Sequence, residues 1–252
     1  MNHKYLLKSG LFLLAAATLL IAGCSANTMQ ESYPSSSESI SPNEEEHAVA
    51  TLLYQGHASF RITTAEGKVI YVDPYAGEGY DLPADLILVT HQHGDHNQVG
   101  LITSRNPGCE IITEKEALKD GKHQIFDLGY VIVEAVEAGN KNHDPKQCVG
   151  YILTLSDGTQ LYASGDTSTT QQMKTFRERK LDYALLCCDG VYNMDIAEAS
   201  ESAGLIGARH TIPYHMAPGE LFSRERAEQF EAESRLIVAA GEEITLDSTI
   251  KK

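Results

Sequence analysis

Eight residues in the middle of the chain constrain its fold more than any other feature does. The segment reads Thr90-His91-Gln92-His93-Gly94-Asp95-His96-Asn97 and follows a short apolar run of the kind that forms a buried strand. Imidazole and carboxylate groups are ligands that suit Zn, Mn or Fe ions. The H-x-H pair presents both rings on one side, and the glycine turn directs Asp95 and His96 toward a neighbouring point. The pattern therefore predicts a loop that holds two adjacent metal ions.

Apolar periodicity and turn signals predict short strands that alternate with helices over the rest of the chain. Strands are expected at 49–54, 58–64, 68–72, 86–89, 110–113, 131–136, 149–155, 160–163, 181–188, 236–239 and 242–246. Helices are expected at 97–104, 168–179, 196–206 and 223–232. Strands that come first and are followed by mixed elements favour sheet layers covered by helices.

Three further motifs carry histidine and aspartate side chains in the second half of the chain. They read Gly139-Asn140-Lys141-Asn142-His143, Ala163-Ser164-Gly165-Asp166-Thr167 and Ile212-Pro213-Tyr214-His215. Together with the first segment they resemble the metallo-β-lactamase superfamily, and the resemblance covers residues 50–247. It implies an α+β fold, a four-layer αβ/βα sandwich, with the site at one edge of the sheets.

The resemblance also implies a ligand set for two divalent metal ions, with Zn expected and Mn or Fe as alternatives. The implied ligands are His91, His93 and His143 for the first ion, Asp95, His96 and His215 for the second, and Asp166 as the bridge. Three of them have a structural alternative. His143 is also compatible with a polar turn, Asp166 with a helix cap, and His215 with a packed loop histidine.

A metal pair of this kind implies a hydrolytic mechanism. A hydroxide that bridges the ions attacks an ester-like or lactone-like bond, and Asp95 is the expected catalytic residue, which orients the hydroxide and accepts its proton. Asp73 is expected either to accept a hydrogen bond from a ligand imidazole or to cap a turn. His57 is expected to reach the pocket or to be a satisfied core histidine. Further pocket candidates in loops near the expected mouth are Asp189, Tyr192 and Tyr214.

Finer matches point to one branch of the superfamily. The segments Gly56-His57-Ala58-Ser59-Phe60, Tyr71-Val72-Asp73-Pro74-Tyr75 and Pro213-Tyr214-His215 are similar to the branch that contains L-ascorbate-6-phosphate lactonase. The substrate is not transferred with the branch, because fold and ligands are shared across many chemistries.

The first 47 residues have the pattern of an export signal and a tether. A basic head over 1–8 precedes an apolar run over 11–22, which is typical of a secretory signal. Leu20-Ile21-Ala22-Gly23-Cys24 resembles a bacterial lipobox, which implies cleavage before Cys24 and its lipidation. The alternatives are an uncleaved anchor or a chance cysteine. We expect a signal peptide at 1–23, a flexible tether at 24–47 and a hydrolase domain at 48–252, anchored by lipid on the outward face of the cell membrane.

Charge and composition narrow the function classes. The formal net charge of −15 makes nucleic acid a poor partner, because phosphate contacts need Lys and Arg, so a small-molecule substrate is expected. Two alternatives remain: a phosphodiester hydrolase that acts on a lipid or nucleotide, and a non-enzymatic surface lipoprotein that binds a metal or another ligand. Five cysteines are too few for a disulfide scaffold. Cys187 and Cys188 are predicted to be buried thiols, and Cys109 and Cys148 have no assigned partner.

Overall fold

Two six-stranded sheets provide the framework for residues 49–248, which are the residues that the computed structural model describes. In chain order the strands are β1 (Thr51–Gly56), β2 (Ser59–Thr63), β3 (Val69–Val72), β4 (Ala84–Leu88), β5 (Arg105–Ile112), β6 (Leu118–Lys119), β7 (Lys122–His123), β8 (Ile125–Asp127), β9 (Val131–Glu137), β10 (Val149–Leu155), β11 (Gln160–Ala163), β12 (Tyr183–Cys187), β13 (His210–Tyr214) and β14 (Glu243–Thr245). The first sheet has the order β14-β1-β2-β3-β4-β5 and the second β13-β12-β11-β10-β9-β8, while β6 and β7 form a small hairpin.

The α-helices of the described residues are short. They are α1 (Glu114–Ala117), α2 (Ile196–Ile206) and α3 (Arg224–Gln229), and 3-10 segments span Val99–Leu101 and Gln172–Arg179. The longest helix, α2, begins where the Asp195 side chain accepts a hydrogen bond from the Glu198 N–H and ends at Gly207, whose φ is +66°.

The apolar core lies between the two sheets. Alternating side chains of β1 such as Leu52 and Tyr54 are fully buried in the same cluster as Tyr151 and Leu153 of β10. The outer face of the first sheet packs on a smaller cluster that contains Tyr71. The second sheet is covered by α2 and by the 3-10 segment, which contact each other. The predicted α+β sandwich is confirmed.

Several predicted elements are shorter than expected. The helix predicted at 97–104 is only the 3-10 turn Val99–Leu101, and the helix at 168–179 is the 3-10 segment Gln172–Arg179. Ahead of the second segment, the N–H and hydroxyl of Thr169 bond to the Glu198 side chain, which holds this residue outside the helical turns. The strand predicted at 236–239 is wrong, since these residues form no strand and the neighbouring Arg235 makes only an isolated bridge to Thr211.

The four cysteines within residues 49–248 are free thiols, and Cys187 and Cys188 are buried as predicted. Burial raises the pKa of the Cys148 thiol to about 12, so this group stays protonated at neutral pH.

Among residues 49–248, the structure has no helix whose length and apolar character would let it cross a lipid bilayer. Cys24, the predicted signal peptide and the whole of the predicted tether lie outside the described residues.

Candidate functional site

The histidine and aspartate motifs meet at one edge of the sandwich because of the strand directions. β3 and β4 are parallel, as are β11, β12 and β13, and the carboxyl ends of parallel strands meet at the same edge of a sheet. The loops after these strands carry Asp73, His91, Asp166, Asp189 and His215. β10 runs antiparallel to β11, so the loop before β10 lies at the same edge and brings in one more ligand candidate, His143.

The carboxylate of Asp166 lies at the centre of a group of imidazole nitrogens. Its Oδ1 lies 3.3 Å from the Nε2 of His96 and 3.4 Å from the Nε2 of His215. Its Oδ2 lies 3.2 Å from the Nε2 of His143 and 4.0 Å from the Nε2 of His91. Asp166 therefore faces both halves of the ligand set with different oxygen atoms.

Each of these four histidines has its outer nitrogen next to a polar group. The Nδ1 of His96 donates to Asp73 Oδ2 at 2.8 Å, and the Nδ1 of His215 lies 3.3 Å from Asp189 Oδ2. The other two pairs are His143 Nδ1 with Asn140 Oδ1 and His91 Nδ1 with Thr90 Oγ1, both at 3.1 Å. Such contacts orient an imidazole and keep its inner nitrogen available to a metal.

Asp95 occupies the more open side of the cluster. Its Oδ2 lies 3.1 Å from the Nε2 of His57 and 3.8 Å from the Nε2 of His215. The Asp95 side chain is 38% exposed, whereas that of Asp166 is 4% exposed. Asp95 is therefore the carboxylate of the cluster that solvent reaches.

Three residues of the site have backbone conformations that side chains rarely adopt. His57, Asp73 and His215 have φ values of +56°, +44° and +46°. A left-handed conformation destabilises a non-glycine residue by roughly 1–2 kcal/mol, and it persists only where surrounding contacts maintain it. The placement of these three side chains therefore lowers the stability of the fold.

Burial and charge act against each other in the cluster. Burial opposes charge on His96, but the carboxylates of Asp166 and Asp73 raise its pKa well above the usual value. Burial also favours the neutral acid of Asp166, yet the imidazoles of His96 and His215 hold its pKa well below the usual range. The pKa of His91, by contrast, is lowered to about 2, first by burial and then by the neighbouring His96. The ring of His91 is therefore neutral at pH 7, the form in which histidine binds metals.

The inward-facing atoms fit a divalent cation. Among residues 49–248, the Nε2 atoms of His91, His96 and His215 and the Oδ1 of Asp166 are buried and lack a hydrogen-bond partner. A buried polar atom without a partner is costly, and a cation coordinated by these atoms would remove that cost. The groups whose ligand atoms lie within 4.8 Å of one another are His91-His93-His143, His91-His96-Asp166 and His57-Asp95-His96-His215.

A cavity of about 380 Å³ opens onto the cluster. Its lining residues are His93, Asp95, Asn142, His143, Asp166, Tyr192 and His215. The loop that carries Tyr192 is held in place from both sides, because the Tyr192 carbonyl accepts from Asn140 and Asn142 and its N–H donates to Asp189. A second cavity of about 730 Å³ adjoins His91, His93 and His143 and is also lined by Lys115 and Lys146.

The structure brings together the seven ligand candidates and three of the five surrounding candidates: His57, Asp73 and Asp189. Of the other two, Tyr192 lines the cavity and is exposed, but Tyr214 does not line it. Tyr214 ends β13 with its side chain in the core, where its hydroxyl accepts a hydrogen bond from the N–H of Gly165 at 2.9 Å.

Sequence reasoning assigned no role to two residues that hold ligand candidates in place. Thr90 accepts from His91 and donates to Asp73, and the Asn140 side chain accepts from His143 and donates to the Tyr192 carbonyl. Both lie within or beside the motifs, so proximity in sequence was the only available signal.

Comparison with known proteins agrees with this geometry. A family model described as "Beta-lactamase superfamily domain" matches residues 51–215. A UPF0173 metal-dependent hydrolase of Nitratidesulfovibrio vulgaris is 28% identical over 229 residues, which cover 78% of this chain and 95% of the relative.

Two solved structures are also similar. A protein described as a metal-dependent hydrolase from Parabacteroides distasonis has a TM-score of 0.62 at 28% identity, over 75% of this chain and 92% of the other. The metallo hydrolase Igni18 from Ignicoccus hospitalis has a TM-score of 0.66 at 22% identity, over 80% of this chain and all of the other, and shares the fold. The chain therefore belongs to the metallo-β-lactamase superfamily and is one of its metal-dependent hydrolases.

Proposed function

We propose that the chain is a dinuclear hydrolase that cleaves an ester or lactone bond in a small molecule. The observation that carries this proposal is the arrangement around Asp166, whose two oxygens face different imidazole nitrogens. His91, His93 and His143 would hold one ion, Asp95, His96 and His215 the other, and Asp166 would contact both. Two divalent cations in such a site lower the pKa of water and polarise a substrate oxygen.

The residues of the chain supply the remaining chemistry. Asp95 is the accessible carboxylate of the cluster, and it faces the same cavity as Asp166 and His215. It is therefore the group that accepts a proton when water adds to the acyl carbon. That proton then passes to the leaving oxygen as the carbon–oxygen bond breaks.

The cavity that opens onto the cluster supports a small substrate. Its volume of about 380 Å³ lies at the lower end of the range typical of ligand sites. The exposed ring of Tyr192 at its mouth provides an apolar surface for an acyl or ring group. An ester or lactone needs no cationic cradle, because its scissile group is neutral.

A phosphodiester hydrolase is the second candidate, and one observation favours it. The larger cavity beside His91, His93 and His143 is lined by the ammonium-bearing residues Lys115 and Lys146. Lysine side chains at that position suit a substrate that carries a phosphate. The same cavity also contains the carboxylates of Glu114 and Asp144, which reduce its attraction for anions.

The test combines metal content with hydrolysis. The full chain is purified without chelator, assayed for metal per chain, and screened on ester, lactone and phosphodiester chromogens. We expect close to two ions and turnover of an ester or lactone, which Asp95→Ala abolishes. Asp81→Asn is the control, because Asp81 is a mostly exposed carboxylate that pairs with Arg61 away from the cluster.

Three results would contradict the proposal. Turnover of phosphodiesters alone would favour the second candidate. Turnover that survives Asp95→Ala would remove Asp95 from its assigned role. A folded chain that binds no metal would refute the dinuclear site.

A further inference from the structure

His57 is a buried histidine whose role the ligand set described above leaves open. It lies in the turn between β1 and β2, its side chain is fully buried, and its φ is +56°. Its ring centroid lies 3.8 Å from that of His215. A histidine that the fold buries in a strained conformation beside a cluster of candidate metal ligands calls for a chemical explanation.

The two ring nitrogens of His57 face different groups. Nδ1 lies 3.1 Å from the carbonyl oxygen of Glu220, and Nε2 lies 3.1 Å from the Oδ2 of Asp95. A carbonyl oxygen only accepts hydrogen bonds, so Nδ1 carries the ring proton. The Nε2 of a neutral His57 then directs a lone pair at a carboxylate oxygen. Between two acceptors that contact is repulsive, and a cation next to both atoms makes it favourable. A doubly protonated ring would instead donate from Nε2 to Asp95, and the test below separates the two cases.

We propose that the Nε2 of His57 is a ligand of the second metal ion, together with Asp95, His96 and His215. This inference rests on the proposed dinuclear site and adds a residue to it. The ligand atoms of these four residues all lie within 4.8 Å of one another. Zn–N and Zn–O bonds are about 2.0–2.2 Å long, so two ligands of one ion lie about 3–4 Å apart. The separation of 3.1 Å between His57 and Asp95 fits that range.

The arrangement of His57 is the same as that of the other buried histidines. In His91, His96, His143 and His215, Nδ1 lies beside a polar oxygen and Nε2 faces the carboxylates. His57 repeats this pattern with the Glu220 carbonyl as its outer partner. An outer contact that fixes the ring and leaves Nε2 facing inward is the usual arrangement of a metal-ligating histidine.

Backbone contacts keep His57 in position before any ion binds. Its N–H donates to the Leu221 carbonyl at 2.7 Å, and its carbonyl accepts from the His215 N–H at 2.8 Å and from the Tyr54 hydroxyl at 2.8 Å. Gly56 lets this turn approach closely, since a Cβ there would lie 2.8 Å from the Cβ of Leu221. The segment that contains Glu220 and Leu221 thus sets the direction of the ring.

With His57 as a ligand, the two metal sites have different ligand sets. The first has three imidazoles and the shared Asp166, which is a four-ligand set that suits tetrahedral Zn. The second has three imidazoles and two carboxylates when His57 is included. We therefore expect the two equivalents of metal to bind with different affinities.

The test uses ¹¹³Cd bound to the full chain and counts the histidine rings that show ¹H–¹¹³Cd coupling in NMR spectra. Coupling reports a direct bond from the ring to the ion, so a neighbouring ring that only orients Asp95 gives no signal. We expect six coupled rings in the wild type and five in His57→Gln. We also expect the second Cd²⁺ equivalent to bind more than about 100-fold more weakly in the variant, beyond the 10–100-fold typical of outer contacts.

His210→Gln is the matched control, because His210 begins β13 at the end opposite His215 and stacks on Tyr183. Its spectrum and affinities should equal those of the wild type. Five coupled rings in the wild type, with the same five in His57→Gln, would overturn the inference. If the variant fails to fold, the number of coupled rings in the wild type alone tests the inference. One bound ion per chain would contradict the dinuclear proposal instead, and coupling of His57 to that ion would still support the inference.

Discussion

The Oδ2 of Asp73 lies 2.8 Å from the Nδ1 of His96, and both side chains are buried at the edge where β3 and β4 end. The same carboxylate accepts hydrogen bonds from the N–H and the hydroxyl of Thr90, both at 2.7 Å. Asp73 thus connects the end of β3 to the start of the histidine segment. Through this contact it directs the Nε2 of His96 toward Asp166.

Replacing Asp73 with Asn should weaken metal binding at the second site. The amide keeps an acceptor for the Thr90 N–H, but it removes the charge opposite His96. The contact that holds the His96 ring in its orientation is therefore weaker. We expect a 10–100-fold loss in affinity for the second metal equivalent, measured by competition with a chromophoric chelator. Asp81→Asn serves as the control and should leave the affinity unchanged. An Asp73→Asn affinity equal to that of the wild type would contradict the role assigned to this contact.

The hydroxyl of Tyr214 stabilises the loop that carries Asp166. It accepts the only hydrogen bond that the buried N–H of Gly165 makes among the described residues. Tyr214→Phe leaves that N–H without a partner, so we expect the free energy of unfolding to fall by about 1–3 kcal/mol in urea with chelator present. Tyr162→Phe is the matched control, because the Tyr162 hydroxyl is buried without a partner within residues 49–248. Equal losses in both variants would contradict this explanation.

Asp189 should make the stability of the chain depend on acid pH. Burial favours its neutral form, but the His215 ring 3.3 Å away and hydrogen bonds from the N–H groups of Tyr192 and Val191 lower its pKa to about 2, from a usual 3.8. The unfolded chain therefore binds more protons between these values, and stability rises with pH across that window. The contribution is complete above about pH 4 and is lost as the pH falls toward 2.

Urea unfolding of Asp189→Asn, with chelator present, tests this pH dependence. Each pKa unit corresponds to about 1.4 kcal/mol, so we expect the variant to be less stable than the wild type by about 2 kcal/mol at pH 7. The difference should narrow as the pH falls below 4. A difference that stays constant from pH 7 to pH 3 would mean that the charge of Asp189 contributes nothing.

The lipobox-like segment predicts membrane attachment through Cys24. In a bacterial host grown with labelled palmitate, we expect the wild-type chain to carry the label and to sediment with membranes. Cys24→Ser should abolish labelling. Cys109→Ser is the control, since Cys109 is a half-buried thiol outside this segment. Label that persists in Cys24→Ser would refute the prediction.

The sequence motifs, and the family resemblance that they carry, were sufficient to predict the fold class and the hydrolase class. Short apolar runs that end in His and Asp motifs indicate strands that deliver ligands to one sheet edge, and both the sandwich and the family are confirmed. The helix predicted at 97–104 is limited to Val99–Leu101, where the Gln98 N–H bonds to the Pro74 carbonyl. The segment predicted to be a helix at 168–179 is regular only from Gln172, because the N–H and hydroxyl of Thr169 bond to the Glu198 side chain. This contact depends on a partner 29 residues away.

The sequence by itself determined which side chains stand at the strand ends, because burial periodicity and metal-ligand chemistry are properties of local segments. Only the tertiary structure decided how those side chains are oriented. The ring of His57 is directed by the carbonyl of Glu220, 163 residues away, and a backbone carbonyl has no signature in the sequence. The positive φ of His57, Asp73 and His215 likewise depends on contacts between distant segments. The orientation of these side chains could therefore not be predicted from the sequence, because it arises from packing that forms only when both sheets are assembled.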